Sequence, residues 1–175
     1  GVLYDMLDRE REQTDLRSTS VQHLSKKFGV DATHSARVQR VAAHLFAHLG
    51  EAAPPDADRH QRSLRKVSWA AQLHEIGSRI SHSDYHKHGA YILDNSDTPG
   101  FAQHELHRLS LLVLGHRGKL RKLAADFDDA EFISQLMVLR LAVILCHARR
   151  DPDLRGMQLS WNPSLHRQFS LQCRP

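Results

Sequence analysis

An all-α bundle closed by a short C-terminal β-hairpin is the fold this sequence predicts, on three observations. Apolar residues recur at helical spacing over most of the chain. The composition, 41% apolar and 25% charged, is that of a folded globular protein and excludes disorder as the main state. Only after Pro152 does the spacing change to the alternation of strands. With 175 residues there is enough chain for one domain with a real core. Residues 1–152 are expected to form the helical body, and 153–175 an extension of the same domain.

Leu3, Met6 and Leu7 share one face of a short opening helix, and Val21, Leu24 and Phe28 mark a second, ended by Gly29. Asp31 suits the N-cap of a third, in which Val38, Val41, Ala42, Leu45, Phe46 and Leu49 form an apolar stripe up to Gly50. The polar, proline-bearing EAAPPDAD is a loop. From Gln61 to Ile80 two apolar stripes, Leu64/Val67/Ala71/His74 and Trp69/Leu73/Ile76/Ile80, predict a central helix buried on both sides. Helices over His86–Leu93 and Glu105–Leu114 flank a loop from Asn95 to Gly100. Asp128 or Asp129 can cap the last helix, which runs through Phe132, Leu136, Leu139, Val143 and Cys146 and is expected to be buried. MQLSW and HRQFSLQ then alternate around Asn162-Pro163-Ser164 as a hairpin.

The longest apolar run, Phe132 to Cys146, is too short for a bilayer and carries Gln135 and Arg140. The N-terminus has neither the basic start nor the apolar stretch of a signal peptide. Two cysteines without paired spacing fit a reducing compartment, so a cytoplasmic location is expected. Gly1 is not a start methionine and the chain opens in a helical pattern, as a piece of a longer polypeptide would.

A net charge of +4 permits an anionic partner, and 14 histidines would add charge as the pH falls through about 6.5. No GxSxG elbow, GxxxxGK[ST] loop, GxGxxG turn or HExxH helix is present. The chemistry that remains rests on histidine. His34 lies in the first turn of its helix on the apolar side, His74-Glu75 lies in the central helix, and His116 follows the helix ending LLVLG. Neutral imidazoles and a carboxylate drawn from separate helices are what a divalent metal requires. The plainer alternative is a set of half-buried histidines bonded to backbone carbonyls.

The order His, His-Glu-Ile-Gly, His resembles the HD superfamily of helical metal-dependent phosphohydrolases. A closer match is HEIGSRISHSDYHKHGAYIL, from His74 to Leu93, followed by LLVLGHRGKL. That pair resembles the C-terminal helical domain of the exopolyphosphatase and guanosine pentaphosphate phosphatase family. GVLYDMLDR resembles the junction with that family's actin-like catalytic domain, and RSTSVQHLSKKFGVDATHSARV also fits. The resemblance covers roughly residues 1–150 and implies an HD-like helical bundle. It also implies an actin-like catalytic domain upstream that uses magnesium, a homodimer, and a helical domain that helps to hold a long phosphate polyanion.

Compared with metal-binding HD proteins, the chain departs at the places where ligands are needed. The HD dyad is His74-Glu75, Tyr85 stands where many relatives have a histidine, and Val143 stands where they end on an aspartate. A valine cannot ligate, so no metal and no cofactor are expected in this chain, although His86 or His88 could partly substitute. His34, His74, Glu75 and His116 are the degenerate candidates.

The other constellation is cationic. His86, Lys87 and His88 would neighbour Arg117 and Lys119 in the HD arrangement and form one phosphate-binding edge, with Arg121 and Lys122 balanced evenly between that edge and ordinary solvated surface. Histidines 86, 88 and 116 would then take up protons as phosphate binds. The expected function is therefore polyanion binding and assembly within an exopolyphosphatase-type enzyme, the fragment alone being inactive. The rivals are a self-sufficient metal phosphohydrolase on His34, His74, Glu75 and His116, and a nucleic-acid module, which charge alone permits.

Overall fold

The computed structural model describes residues 1–51, 56–162 and 168–174. Among these residues six α-helices and a two-stranded sheet run in the order α1 (Val2–Lys27), α2 (Ala32–Glu51), α3 (Ala57–Leu73), α4 (Tyr85–Asp94), α5 (Gln103–Gly115), α6 (Ala130–Leu145), β1 (Met157–Asn162) and β2 (Gln168–Cys173). A 3-10 helix, Leu120–Asp126, stands between α5 and α6. The all-α class with a terminal hairpin is what the periodicity predicts.

Several boundaries differ from the sequence reading. The two opening helices are one, because Arg9 to Arg17, though lacking an apolar stripe, is rich in Glu, Gln and Arg, which favour helix on an exposed surface. Gly29, at φ 65, then ends α1 as expected. Asp31 caps α2, its Oδ1 accepting from the backbone N–H of Thr33 and His34 at 3.0 and 3.1 Å. Gly50 does not stop that helix, which continues to Glu51. Of the predicted loop, 52–55 lie outside the described residues, and Asp56 already caps α3 through Asp58 and Arg59 N–H.

The largest departure is at the end of α3, which stops at Leu73 rather than Ile80. From there the backbone tightens into successive turns, Ile76 N–H to Leu73 O at 3.1 Å, Ser78 to Glu75 at 2.9 Å and Ile80 to Gly77 at 3.0 Å. Ile80 is left 58% exposed, so the predicted stripe fails at its end. Gly77 lets α4 close onto these turns, since a Cβ there would collide with the Tyr85 carbonyl and stand 2.6 Å from the Gly89 nitrogen.

The core lies between α2, α3, α5 and α6, with Val38, Leu45, Val67, Leu73, Leu112, Phe132 and Leu139 fully enclosed. Asp129 caps α6 by accepting from Phe132 N–H at 3.2 Å. Helix α6 is less enclosed than its sequence predicts: Phe132, Leu136, Leu139 and Ala142 are buried, Val143 is half-buried and Ile144 is exposed. The hairpin pairs antiparallel with Trp161 opposite Phe169, the two rings stacked at 5.2 Å, and Leu159 reaches the core against α2. Its predicted turn falls at Asn162-Pro163-Ser164, of which 163 and 164 lie outside the described residues. Among the described residues no helix is long and apolar enough to cross a membrane.

Candidate functional site

Three helix ends meet at one cleft. The first turn of α2 brings His34, the turn after α3 brings His74 and Glu75, and the end of α5 brings His116. One oxygen, Glu75 Oε1, lies 3.8 Å from His34 Nε2 and 4.0 Å from His74 Nε2. The rings continue inward, with His34 to His74 at 5.9 Å, His74 to His116 at 5.2 Å and His116 to Tyr85 at 5.3 Å between centroids. The four residues read from the sequence as degenerate metal-site candidates therefore do converge.

Their hydrogen bonds fix which nitrogen carries a proton. His74 Nδ1 is 2.6 Å from Ala71 O and His116 Nδ1 is 2.5 Å from Val113 O. A carbonyl only accepts, so both rings donate from Nδ1 and leave a lone pair on Nε2. Both Nε2 atoms are buried without a protein partner. His34 is set the other way. Arg37 Nη1 stands 3.3 Å from His34 Nδ1, and a guanidinium only donates, so neutral His34 presents an N–H at Nε2 toward Glu75.

Burial holds these rings neutral. His116 and His74 are 2% and 1% exposed, and loss of hydration pushes both imidazoles below their usual range, His116 well below it. His34 is lowered for the same reason, against the raising effect of Glu75. The close approach of His34 to Glu75 is thus a contact of a neutral ring with a carboxylate, not an ion pair. The plainer sequence reading, histidines bonded to backbone carbonyls, describes His74 and His116.

A divalent ion fits the HD-type position poorly. The ligand atoms of His34, His74 and Glu75 all lie within 4.8 Å of one another. Bonds of about 2.0–2.1 Å place neighbouring ligands only about 3.3 Å apart in a tetrahedron, so the set is too open as it stands. The orphaned His74 lone pair suits a metal, but the His34 tautomer does not. Glu75 Oε1 also accepts a hydrogen bond from Arg149 Nη1 at 3.4 Å. Val143, expected to fill the place of a lost carboxylate inside the core, is instead half-buried at the core's edge.

On the other side of His116 lies a pocket of about 240 Å³ lined by His86, Lys87, Gly118, Lys119 and Lys122 over Leu114 and Leu123. Helix α4 and the 3-10 helix supply its two walls. The segments around residue 87 and residue 119 are neighbours, as the cationic-edge reading requires. His86 points inward, and a Cβ on Gly118 would stand only 3.2 Å from its Nε2. Arg117 lies over the Tyr85 ring at 4.7 Å. Lys87 pairs with Asp84 at 2.8 Å. His88 is not among the lining residues; its Cβ stands 3.0 Å from where a Gly77 Cβ would be.

His116 does not reach this edge as a chargeable group, which corrects the expectation that it takes up protons there. Burial is the reason, and burial with the neighbouring Arg117 and Lys87 also lowers His86. Lys122, which the sequence leaves open between the cationic edge and ordinary surface, lines the pocket; the 3-10 helix that turns it inward has too short a period to register as a stripe.

The family model described as Ppx/GppA phosphatase, domain III, matches residues 16–172. The chain belongs to the Ppx/GppA phosphatase family, as its domain III. A protein of Pseudoalteromonas translucida (strain TAC 125), named guanosine-5'-triphosphate,3'-diphosphate pyrophosphatase, is 36% identical over 88% of this chain and 31% of its own length. Proteins of the same name are 34% identical in Pseudoalteromonas atlantica (strain T6c / ATCC BAA-1087), over 86% of this chain and 30% of theirs, and 31% identical in Vibrio cholerae serotype O1 (strain ATCC 39315 / El Tor Inaba N16961), over 90% and 31%. The chain spans about a third of the length of these relatives. The family resemblance read from residues 1–150 is confirmed, and a self-sufficient metal phosphohydrolase is not favoured.

Two residues of this domain III site escaped the sequence reading altogether. Arg37 sets the His34 tautomer, and Arg149 joins Asp31 Oδ2 at 3.0 Å to Glu75. Both are arginines, and nothing in the local pattern separates them from solvent-facing ones.

Proposed function

We propose that this domain III binds the phosphate chain of the substrate for a catalytic domain elsewhere in the parent enzyme, and contributes to a homodimer. The observation that carries this reading is the 240 Å³ pocket in which α4 and the 3-10 helix set Lys87, Lys119 and Lys122 around one space. Such a volume is below the roughly 300–1,000 Å³ of enclosed small-molecule sites, and suits a segment of a chain passing over it. Lysine meets phosphate as a point charge that adapts to a sliding chain, and Arg117, which lies over the Tyr85 ring and does not line the pocket, would add a bidentate contact only by turning away from that ring. The relatives' name favours guanosine pentaphosphate as the parent's substrate, with inorganic polyphosphate as the longer polyanion of the same chemistry. Bond cleavage, and the magnesium expected with it, belong to the actin-like domain; a cytoplasmic location accords with both substrates.

Titration calorimetry with inorganic polyphosphate tests the reading. Affinity should fall steeply between about 50 and 200 mM salt, as counterion release dictates for phosphate polymers. Lys119→Ala with Lys122→Ala should weaken binding at least tenfold at the lower salt while leaving the helical circular dichroism intact. Salt-independent binding, or binding unaltered in the double variant, would make this pocket ordinary solvated surface.

A further inference from the structure

A cation already occupies the mouth of the histidine cleft. Arg149 Nη1 donates to Glu75 Oε1 at 3.4 Å, the same oxygen that His34 and His74 approach, and its Nη2 donates to Asp31 Oδ2 at 3.0 Å. Two carboxylates, one capping α2 and one in the turn after α3, thus bracket a single positive charge from the segment after α6. We propose that Arg149 is the resident cation of this cleft, taking the electrostatic place of a divalent ion and keeping His34, His74 and Glu75 from closing on one.

The backbone supports this independently of the side-chain contacts. Arg149 sits at φ 55, the one non-glycine residue at positive φ among the described residues. A side chain in that region is strained and persists only where the surroundings over-determine it. Its N–H bonds Cys146 O at 2.9 Å, a closure that glycine would accept without strain. What glycine could not supply is the guanidinium between Asp31 and Glu75. The Asp31 carboxyl is correspondingly held below its usual range, chiefly by Arg149, with the His34 N–H next.

The ligands behind the arginine retain part of what a metal needs. His74 keeps its Nε2 lone pair free of any donor, oriented by a backbone carbonyl on Nδ1 as metal-ligating histidines commonly are. His34 needs only to move its ring proton from Nε2 to Nδ1, releasing Arg37, whose Nε also bonds Asp151 at 3.1 Å. Spreads up to 4.8 Å close to ligand spacing by side-chain rotation once Glu75 is released. Neutralising residue 149 therefore uncovers a transition-metal site that the natural chain suppresses.

Cobalt(II) added to the full 175-residue chain tests this, with visible absorption and calorimetry as readouts. Arg149→Gly and Arg149→Asn both accept positive φ, so either keeps the backbone, and circular dichroism verifies the fold. Each should bind one cobalt at least tenfold more tightly than the natural chain, and Glu75→Gln added to either should abolish the gain. That difference removes the background of surface histidines. Arg149→Lys, which keeps a charge, should behave as the natural chain does. The proposal fails if the neutral variants gain no Glu75-dependent cobalt, if Arg149→Lys gains as much as Arg149→Gly, or if the natural chain already binds cobalt as tightly in a Glu75-dependent way.

Discussion

Gly77→Ala probes the contact on which both halves of the site depend. The added Cβ would strike the Tyr85 carbonyl and stand 2.6 Å from the Gly89 nitrogen and 3.0 Å from His88 Cβ. The first two are backbone atoms of α4, so no rotamer change relieves them and the helix must back away. Overpacking of this kind costs about 1–3 kcal/mol, and rigid obstacles place it at the upper end. Removing a glycine from the unfolded chain returns about 0.4–1 kcal/mol. The net loss is about 2 kcal/mol, which at a urea slope of about 2 kcal/mol per M lowers the unfolding midpoint by about 1 M. Gly89→Ala is the internal control. Its Cβ would meet the Val113 and Ile76 side chains at 3.0 and 3.4 Å and the Gly77 nitrogen at an ordinary 3.6 Å, and α4 gains about 1 kcal/mol of helix propensity, so that variant should stay within about 1 kcal/mol of the natural chain. Equal midpoints for the two variants, or a Gly77→Ala shift under about 0.3 M with unchanged slope, would refute the claim that this backbone approach is tight.

Two further outcomes follow from burial. His74 and His116 have folded-state pKa values below 6.5, so the folded chain binds fewer protons than the unfolded one; their contribution is complete above about pH 6.5 and is lost as pH falls from there toward the folded values. Each histidine should remove up to about 1.4 kcal/mol per pH unit in that window, and urea unfolding from pH 7.5 to 5 should show the slope flatten in a His74→Asn, His116→Gln variant. Along α6, Ala142→Asp should cost about 3 kcal/mol or more because that position is fully enclosed, whereas Val143→Asp, half-buried, should cost about half as much; thermal unfolding that ranks them the other way would mean the helix is rotated from the orientation described here.

What the sequence made legible was whatever repeats locally. The stripe from Val38 to Leu49, the Asp31 cap and the alternation of MQLSW each depend on neighbours within a few residues, and all are present. The convergence of His34, His74, Glu75 and His116 was legible only through family resemblance, since three separate elements supply them. Continuity of α1 through Arg9 to Arg17 was missed because exposed helix needs propensity and no stripe. The early end of α3 was missed because its cause, the approach of α4 to Gly77, is a tertiary contact. Arg149 is further out of reach: its partners are 118 and 74 residues away, and no glycine marks the positive φ.

Where the proposed anion would settle on this domain is decided by which cations are already spent. Arg37 and Arg40 share Asp151, at 3.1 and 2.8 Å, and Arg149 is divided between Asp31 and Glu75. The arginines around the histidine cleft are therefore neutralised within the protein, and the imidazoles behind them stay uncharged because hydration is denied to them. On the far side of His86 the balance is different. Lys87 has Asp84, but among the described residues neither Lys119 nor Lys122 has an ion-pair partner, and no acidic side chain lines their pocket. A phosphate chain approaching the cleft would have to displace carboxylates already in place; at the lysine pocket it displaces only water and counterions, which costs less and releases ions to solution. The same rows of histidine that suggest a metal centre in the sequence thus form a neutral partition, with a salt-linked face on one side and an open cationic one on the other.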